Sequence, residues 1–285
     1  MRYDIAIIGT GPGGVSAAIT SKIRNKNIII FGSKELSNKI SNSEEINNYP
    51  GFPKIKGKDL KDALKLHLDA LNIEITEDKI TSVYAMGDYF FIQGKDSYEA
   101  TSVILACGVT SGKTIEGESS LVGNGVSYCA TCDAMLYKNK EVAVIGYNTE
   151  SIEEAEFLAE VCSKVYFIPM KITNLNFKNE KIEIVNKAPQ EIKAQLRKRI
   201  IEFNNEDSLI VDGVFVLRDA ISPGTLVPGL DTDGANVVCN KDMSTNIPGC
   251  FVCGDIAGLP YQYIKAAGEG NIAALSAVKY ISTKK

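Results

Sequence analysis

The fold is decided by the stretch Tyr3–Gly14, which reads YDIAIIGTGPGG. Its first part, Tyr3–Ile8, is a short apolar run typical of a buried parallel strand, and a helical pattern follows from Val15 to about Ile23. Glycines between a strand and a helix permit a tight turn, a close approach to a pyrophosphate and close packing of the helix on the strand. The stretch therefore predicts a dinucleotide site. Its binding residues are Gly9, Gly11, Pro12 and Gly14.

The second predicted strand indicates which dinucleotide is expected. It covers Asn27–Phe31 and ends in Gly32 and Ser33, without the acidic residue that usually binds a ribose. Either the ribose is held in another way, or the dinucleotide is not a freely exchanging NAD.

Composition and charge exclude several classes of protein. The 285 residues allow one large domain or two of ordinary size, and the net charge of −4 argues against nucleic acid as a bulk electrostatic partner. The sequence has no run of about 18 apolar residues, so we expect no membrane span. We see no signal peptide and expect a cytosolic protein, in which the 7 cysteines are not a disulfide framework.

A redox-active pair is predicted at Cys129–Asp133, which reads CATCD. In a cytosolic protein such a pair is more often catalytic or metal-binding than structural. A second CxxC, at Cys250 and Cys253, lies in a predicted strand, where positions i and i+3 point to opposite faces. We therefore interpret the second pair as structural. A zinc site made from both pairs is the alternative, and we predict no metal.

A second glycine turn follows the CATCD stretch. A strand at Lys140–Ile145, the turn Gly146–Ser151 and a helix at Ile152–Val161 repeat the arrangement at Gly9. The expected fold class is therefore α/β, with two Rossmann-like domains of the three-layer ββα type, the second inserted in the first.

Three further segments give local predictions. Alternation and a Gly87-Asp88 turn predict a hairpin over Lys79–Gln93, and His67, the sole histidine, is placed on the apolar face of a helix. Residues 188–203 are predicted as an amphipathic helix. Its inward residues are Ile192, Leu196, Ile200 and Phe203. Its basic residues, a solvated face or a docking patch, are Lys193, Arg197, Lys198 and Arg199.

The order of the motifs is specific. GTGPGG, NNYPG, ACG, CATCD, a second glycine turn, CGD and a glycine-containing last helix together resemble the low-molecular-weight thioredoxin reductase family over nearly the whole chain. The resemblance implies bound FAD, a homodimer, and thioredoxin as the disulfide substrate. It implies an FAD-binding domain over 1–112 and 218–285 and a redox-active CxxC domain over 113–217. The further cofactor-binding residues it implies are Asn48, Ala106, Gly108, Gly254, Asp255, Gln262, Tyr263 and Ile264.

Electron transfer from a flavin to a disulfide needs a reactive thiolate and a nearby acid. His67 is far from CATCD in sequence, so Asp133, adjacent to Cys132, is the better acid. By resemblance, Cys132 is the sulfur nearer the flavin and Cys129 attacks thioredoxin. Cys107, Cys162 and Cys239 have no predicted role beyond packing.

The second glycine turn departs from the NADPH-dependent members of the family. Asn148 stands where the second glycine belongs, Ser151 stands in the alanine position, and Pro169–Lys171 replaces the expected arginines. A side chain at position 148 blocks the approach of a pyrophosphate. A 2′-phosphate is usually bound by the guanidinium groups of arginines, which are absent here. Tyr261 also replaces the usual arginine before Gln262.

These departures favour a reductase that does not use NADPH. The pattern is similar to the ferredoxin-dependent flavin thioredoxin reductases of clostridia, in which ferredoxin is the electron donor. A deeply rooted thioredoxin reductase group also lacks the NADPH motifs. The alternatives are an NADPH-dependent reductase with atypical binding, a flavin-dependent oxidase of small dithiols, and a non-catalytic flavoprotein sensor.

Overall fold

Parallel strands that end in glycine turns organise both parts of the chain. A computed structural model describes residues 2–41, 43–109, 115–170, 172–173, 175–204, 207–218 and 221–284. The contacts divide the chain into two units. Unit 1 comprises Met1–Val109 and Ser222–Lys285, and unit 2 comprises Thr110–Ile221.

The first segment of unit 1 contains a sheet built around β1. Its elements are β1 (Arg2–Ile8), α1 (Pro12–Ile23), β2 (Ile28–Phe31), α2 (Asn38–Ser41), α3 (Gly57–Ala70), β3 (Ile75–Thr76), β4 (Ser82–Ala85), β5 (Phe90–Gln93) and β6 (Ser97–Leu105). The strand order is β3-β2-β1-β6-β5-β4. β1 pairs in parallel with β2 and with β6, whereas β4 and β5 form an antiparallel hairpin that continues onto β6.

Unit 2 combines a parallel sheet with a separate antiparallel one. Its elements are β7 (Val126–Ser127), α4 (Ala130–Asp133), β8 (Glu141–Gly146), α5 (Glu150–Val161), β9 (Lys164–Pro169), β10 (Ile182–Ile184), β11 (Pro189–Gln195), β12 (Lys198–Phe203), β13 (Ser208–Val211) and β14 (Gly213–Leu217). The parallel sheet has the order β10-β9-β8-β14-β7, and β11-β12-β13 form the antiparallel one. The buried apolar runs of β8 and β14 are typical of central parallel strands.

The last segment returns to the sheet of unit 1. Its elements are α6 (Pro223–Leu226), β15 (Thr232–Asp233), β16 (Asn236–Val237), β17 (Cys250–Val252) and α7 (Tyr263–Ser282). Because β17 pairs in parallel with β6, the two segments of unit 1 share one sheet. Unit 2 lies between these two segments in the sequence. The predicted fold class, α/β with a second Rossmann-like domain inserted in the first, is confirmed. The assignment of the domains to FAD binding and disulfide exchange stays a prediction.

Two helices of unit 1 approach each other closely at glycines. A Cβ atom on Gly270 of α7 would collide with the carbonyl oxygen of Gly13 in α1. Ala273, Ala274 and Ala277 continue this small-residue face into the core. The first turn of α1 therefore packs against α7 at Gly270 and near the carbonyl of Ala266.

The predicted helix over 188–203 is wrong, because the segment forms the hairpin of β11 and β12. The structure buries Ile201, to 0% exposure, and Phe203, whereas Leu196 is 98% exposed at the turn. Apolar residues at 192, 196, 200 and 203 happen to match helical spacing. The strand alternation was hidden because the buried face of β12 also carries a charged residue, Arg199.

Two other local predictions have opposite outcomes. The hairpin over Lys79–Gln93 is confirmed by the pairing of β4 with β5. His67 lies in α3 as expected, but its side chain is exposed, so its predicted place on the apolar face is wrong.

Among the described residues, no helix combines the length and the apolar composition that crossing a bilayer requires.

The hairpin turn gives a stability prediction. Leu196 has a φ of +54°, which strains a residue with a Cβ atom, so L196G is expected to leave the free energy of unfolding unchanged or raise it by up to about 1 kcal/mol. In a helix, the same change would lower it by about 1 kcal/mol. Urea denaturation measures the difference. The control A194G, inside β11, is expected to lower stability, and an equal loss in L196G would contradict the hairpin.

Candidate active site

The glycine turn after β1 leaves one position open. A Cβ atom on Gly9, whose φ is +118°, would collide with the carbonyl of Ala106, and one on Gly14 would collide with the carbonyl of Gly9. These two glycines are required by packing. A Cβ atom on Gly11 would meet no atom within 4 Å. The backbone at Gly11 is therefore accessible to a ligand.

The N-terminus of α1 fits an anion. Gly11 is the N-cap residue, Pro12 occupies the first turn, no side chain caps the helix, and the first turn has no acidic residue. The first amide groups of a helix have no backbone partner, and they attract phosphate when no side chain competes. This terminus can accept the pyrophosphate of a dinucleotide.

Residues far apart in sequence meet beside the start of α7. The Asn48 side chain donates a hydrogen bond to Oε1 of Gln262 at 2.6 Å, across 214 residues. The hydroxyl groups of Ser43 and Tyr263 lie 2.6 Å apart. Asn48, Gln262 and Ile264 are exposed, and Tyr263 is half-buried. The structure therefore brings together the predicted residues of the NNYPG stretch and of the last helix.

The predicted loop at Gly254 and Asp255 is held by two charged residues of α7. Glu269 accepts a hydrogen bond from the amide of Gly254 at 2.9 Å, and Lys265 donates to the carbonyls of Gly254 and Gly258 at 3.1 and 2.6 Å. Lys265 and Glu269 also form an ion pair at 3.1 Å. Sequence reasoning missed both residues, although their i,i+4 spacing was a signal.

Ala106 and Gly108 follow the end of β6 at the same edge of the sheet. Ala106 is buried and its amide donates to the carbonyl of Ile8, while Gly108 adopts a φ of +70°. Because β1 and β6 are parallel neighbours, their C-terminal ends meet where ligands of such sheets bind. The predicted cofactor residues of β1, β6 and α7 all belong to unit 1.

The CATCD stretch begins at the end of β7 in unit 2. Cys129 is 8% exposed and disulfide-bonded. Its amide donates to the hydroxyl oxygen of Ser127 at 3.1 Å, and that hydroxyl donates to its carbonyl at 3.2 Å. Cys132 and Asp133 lie in α4, and Asp133 is half-buried. The side chain of Cys132 lies outside the described part of the structure.

One carboxylate that sequence reasoning missed lies beside this segment. Glu154, in α5, accepts a hydrogen bond from the amide of Ala130 at 3.3 Å. Ala130 directly follows Cys129, so Glu154 helps to fix the start of α4.

Five other cysteines are free, namely Cys107, Cys162, Cys239, Cys250 and Cys253. Burial raises the pKa of Cys250 to about 12 and the pKa values of Cys107 and Cys162 to about 11. Burial also raises the pKa values of Cys239 and Cys253. The second CxxC is therefore a pair of buried thiols, as expected of residues in and after β17. Within the described ranges, no group of three or more His, Cys, Asp or Glu is arranged to hold a metal ion.

The second glycine turn differs physically from the first. Asn148 accepts a hydrogen bond from the amide of Ser151 through Oδ1 at 3.0 Å, and the Ser151 hydroxyl donates to the Asn148 carbonyl at 2.5 Å. The first turn of α5 also carries Glu150 and Glu153. A phosphate would need free amide groups at this helix start, but the Asn148 side chain already accepts one of them. The carboxylates of the two glutamates would also repel a phosphate.

The end of β9 adds no phosphate ligand that the structure describes. Pro169 and Met170 stand there, and Lys171 of the predicted departure lies outside the described residues.

The basic patch that was a candidate for docking is largely neutralised. Lys193 pairs with Glu191 and Glu202, and Lys198 pairs with Asp212. Arg199 is 5% exposed and donates to Asn124. The predicted helical basic face is wrong because these residues lie in the hairpin of β11 and β12. A docking role for the patch stays a prediction.

Comparisons with known proteins agree with this geometry. The profile of the pyridine nucleotide-disulphide oxidoreductase family matches residues 3–270. The thioredoxin reductase of Helicobacter pylori is 35% identical, with 98% of each chain covered. That of Listeria monocytogenes is 30% identical, covering 99% of this chain and 95% of its own.

Among solved structures, a ferredoxin-flavin thioredoxin reductase from Clostridium acetobutylicum is 49% identical with a TM-score of 0.91, covering 100% of this chain and 99% of its own. These likenesses imply a flavin cofactor. The chain belongs to the pyridine nucleotide-disulphide oxidoreductase family and, within it, to the thioredoxin reductases, which are flavoprotein disulfide oxidoreductases.

Proposed function

We propose that this chain is an FAD-dependent thioredoxin reductase that receives electrons from reduced ferredoxin and does not use NADPH. The observation that carries the proposal is the difference between two helix N-termini. The first turn of α1 has no acidic residue and its start has no side-chain cap. At α5, by contrast, Asn148 lies just before the helix and accepts the amide of Ser151, and Glu150 and Glu153 stand in the first turn. The likeness to the clostridial ferredoxin-flavin enzyme supports ferredoxin as the donor.

The residues of unit 1 fit FAD. Backbone amides at Gly11 and Gly13 would bind the pyrophosphate, and the open face of Gly11 would admit it. Pro12 has no amide hydrogen, so it would only line this site. The carboxylate of Asp255, in the loop that Lys265 and Glu269 hold, would bind the ribityl and phosphate region. Asn48, Gln262, Tyr263 and Ile264 would face the ring system. When bound, a flavin accepts single electrons and delivers a pair to a disulfide.

Cys129 and Cys132 are proposed as the redox-active disulfide. Cys129 is disulfide-bonded, and the five other described cysteines are free, which supports this pairing. Reduction adds two electrons and two protons and opens the S–S bond to two thiols. Cys129 would then attack the thioredoxin disulfide as a thiolate, Cys132 would resolve the mixed disulfide, and Asp133 would hold the proton exchanged with Cys132.

Two further features of the assembly and its location are proposed. Helix α7 exposes Ile264, Ile272 and Leu275 to 37%, 40% and 40% on one side, which supports a homodimer that covers this apolar face. The free thiols support a reducing, cytosolic setting.

The electron donor is tested by anaerobic titration of the purified yellow protein. Reduced ferredoxin is expected to bleach the visible flavin band within one turnover, whereas NADPH and NADH leave it unchanged. C129S is the control, because it should keep bleaching by ferredoxin and lose thioredoxin reduction. Rapid bleaching by NADPH would overturn the proposal, and oxygen consumption with a small dithiol but no thioredoxin reduction would identify a dithiol oxidase.

The pyrophosphate site is tested by one methyl group. G11A is expected to raise the Kd for FAD by about tenfold or more, because its Cβ atom points into the open space. Stability should be unchanged, since Gly11 has an extended backbone with a φ of −75°. G224A is the matched control, with Thr232 Cγ2 at 3.7 Å from the new atom and no predicted contact with FAD. Equal FAD affinities measured by calorimetry would refute the site.

The disulfide assignment is tested by thiol alkylation followed by mass spectrometry at about pH 8. Mild reduction is expected to expose two fast-reacting thiols, Cys129 and Cys132. Cys107 should react slowly, because its pKa is raised to about 11 and its thiolate fraction grows about tenfold per pH unit below that value. Fast labelling of Cys250 or Cys253 after reduction would show that the second pair is the redox site.

A further inference from the structure

The C-terminal ends of three neighbouring strands in unit 2 carry one buried cluster. β14 pairs in parallel with β7 on one side and with β8 on the other. The residues that directly follow these strands are Tyr128 after β7, Arg218 after β14 and Tyr147 after β8. In open parallel sheets, this edge is where ligands bind.

An ion pair fills that position. Arg218 donates to both carboxylate oxygens of Glu118, from Nη1 to Oε1 at 2.9 Å and from Nη2 to Oε2 at 2.8 Å. Glu118 is 0% exposed and Arg218 is 4% exposed. The guanidinium also donates to the hydroxyl of Tyr147 at 2.9 Å and lies over its ring at 4.3 Å. The cation that would face a phosphate here is therefore committed to an internal carboxylate.

The same carboxylate also holds the redox segment. The hydroxyl of Tyr128 donates to Oε1 of Glu118 at 3.0 Å, and the amide of Ile115 donates to Oε2 at 2.9 Å. Tyr128 directly precedes Cys129, whose own amide and carbonyl are bound by the hydroxyl of Ser127. The chain carrying Cys129 is thus fixed at two successive residues.

The pair also joins the two ends of unit 2. Glu118 lies shortly after the chain enters unit 2 at Thr110, and Arg218 lies just before it leaves at Ile221. The two residues are 100 positions apart in sequence. A buried, bidentate ion pair with further hydrogen bonds is geometrically specific, which suits it to fixing one arrangement.

We propose that Glu118 and Arg218 are positioning residues for the redox disulfide: they occupy the ligand-binding edge of a nucleotide-type sheet and hold Cys129 in place through Tyr128. This inference rests on the proposed function, because it assumes that Cys129 reacts with thioredoxin. The sheet edge where a nucleotide would bind thus positions the reacting cysteine instead.

The inference is tested with Y128F and R218K in the flavin-loaded enzyme. Y128F removes one hydroxyl and keeps the ion pair, and R218K keeps the charge but loses the planar fork. Both are expected to lower kcat for thioredoxin reduction by about tenfold with KM nearly unchanged, because misplacing a reacting group slows the chemical step. The melting temperature of Y128F should stay near that of the unchanged protein.

The matched control is Y166F. Tyr166 donates its hydroxyl to Glu141 at 3.4 Å in the same unit, so the variant also loses one phenol–carboxylate hydrogen bond. Its kcat should equal that of the unchanged protein. If Y128F, which keeps the ion pair, retains the unchanged kcat, the inference is wrong even where R218K is unstable. Absence of thioredoxin reduction by the unchanged protein would instead refute the proposed function.

Discussion

The amide groups at the start of a helix have no backbone partner, and the two glycine turns of this chain differ in what they offer these amides. At α1 they are left free of side-chain caps and of acidic neighbours, beside a glycine whose open face admits a ligand. At α5 the side chain of Asn148 accepts one of them, and two glutamates stand in the first turn. In the proposed function, the start of α1 binds an anion and the start of α5 does not.

Closing the second site has consequences for the rest of unit 2. The sheet edge where a nucleotide would bind carries the Glu118–Arg218 ion pair, which also forms hydrogen bonds with Tyr128, Tyr147 and the amide of Ile115. The strand ends that would recognise a cofactor instead support Cys129. We propose that unit 2 serves to carry and position the CATCD stretch. In unit 1, by contrast, Lys265 and Glu269 hold a loop beside an open edge.

Local patterns in the sequence predicted the parts of the fold that depend on neighbouring residues. The glycines at 9, 11 and 14 act within one turn, and the hairpin at β4 and β5 is short, so both could be predicted. The helix over 188–203 failed because Arg199 lies on the buried face of β12, where its guanidinium bonds Asn124. Asn124 lies 75 residues away in the sequence, so the hydrophobic periodicity of this segment could not indicate the contact.

The site shows the same division. Asn48 and Gln262 were predicted separately through the family resemblance, and their direct hydrogen bond needed the structure. Glu118 and Arg218 carry no local signal, because an acidic residue in a linker and an arginine after a strand are ordinary at the surface. Only the parallel register of β7, β8 and β14 brings them together and buries them.

The most direct test of this account is a crystal structure of the purified yellow protein grown with excess NADPH. The account predicts a flavin dinucleotide with its pyrophosphate over Gly11 and no nucleotide at the Gly146–Ser151 turn, where Asn148 keeps its hydrogen bond to Ser151. A nucleotide pyrophosphate at the start of α5, with the Asn148 side chain displaced, would contradict it.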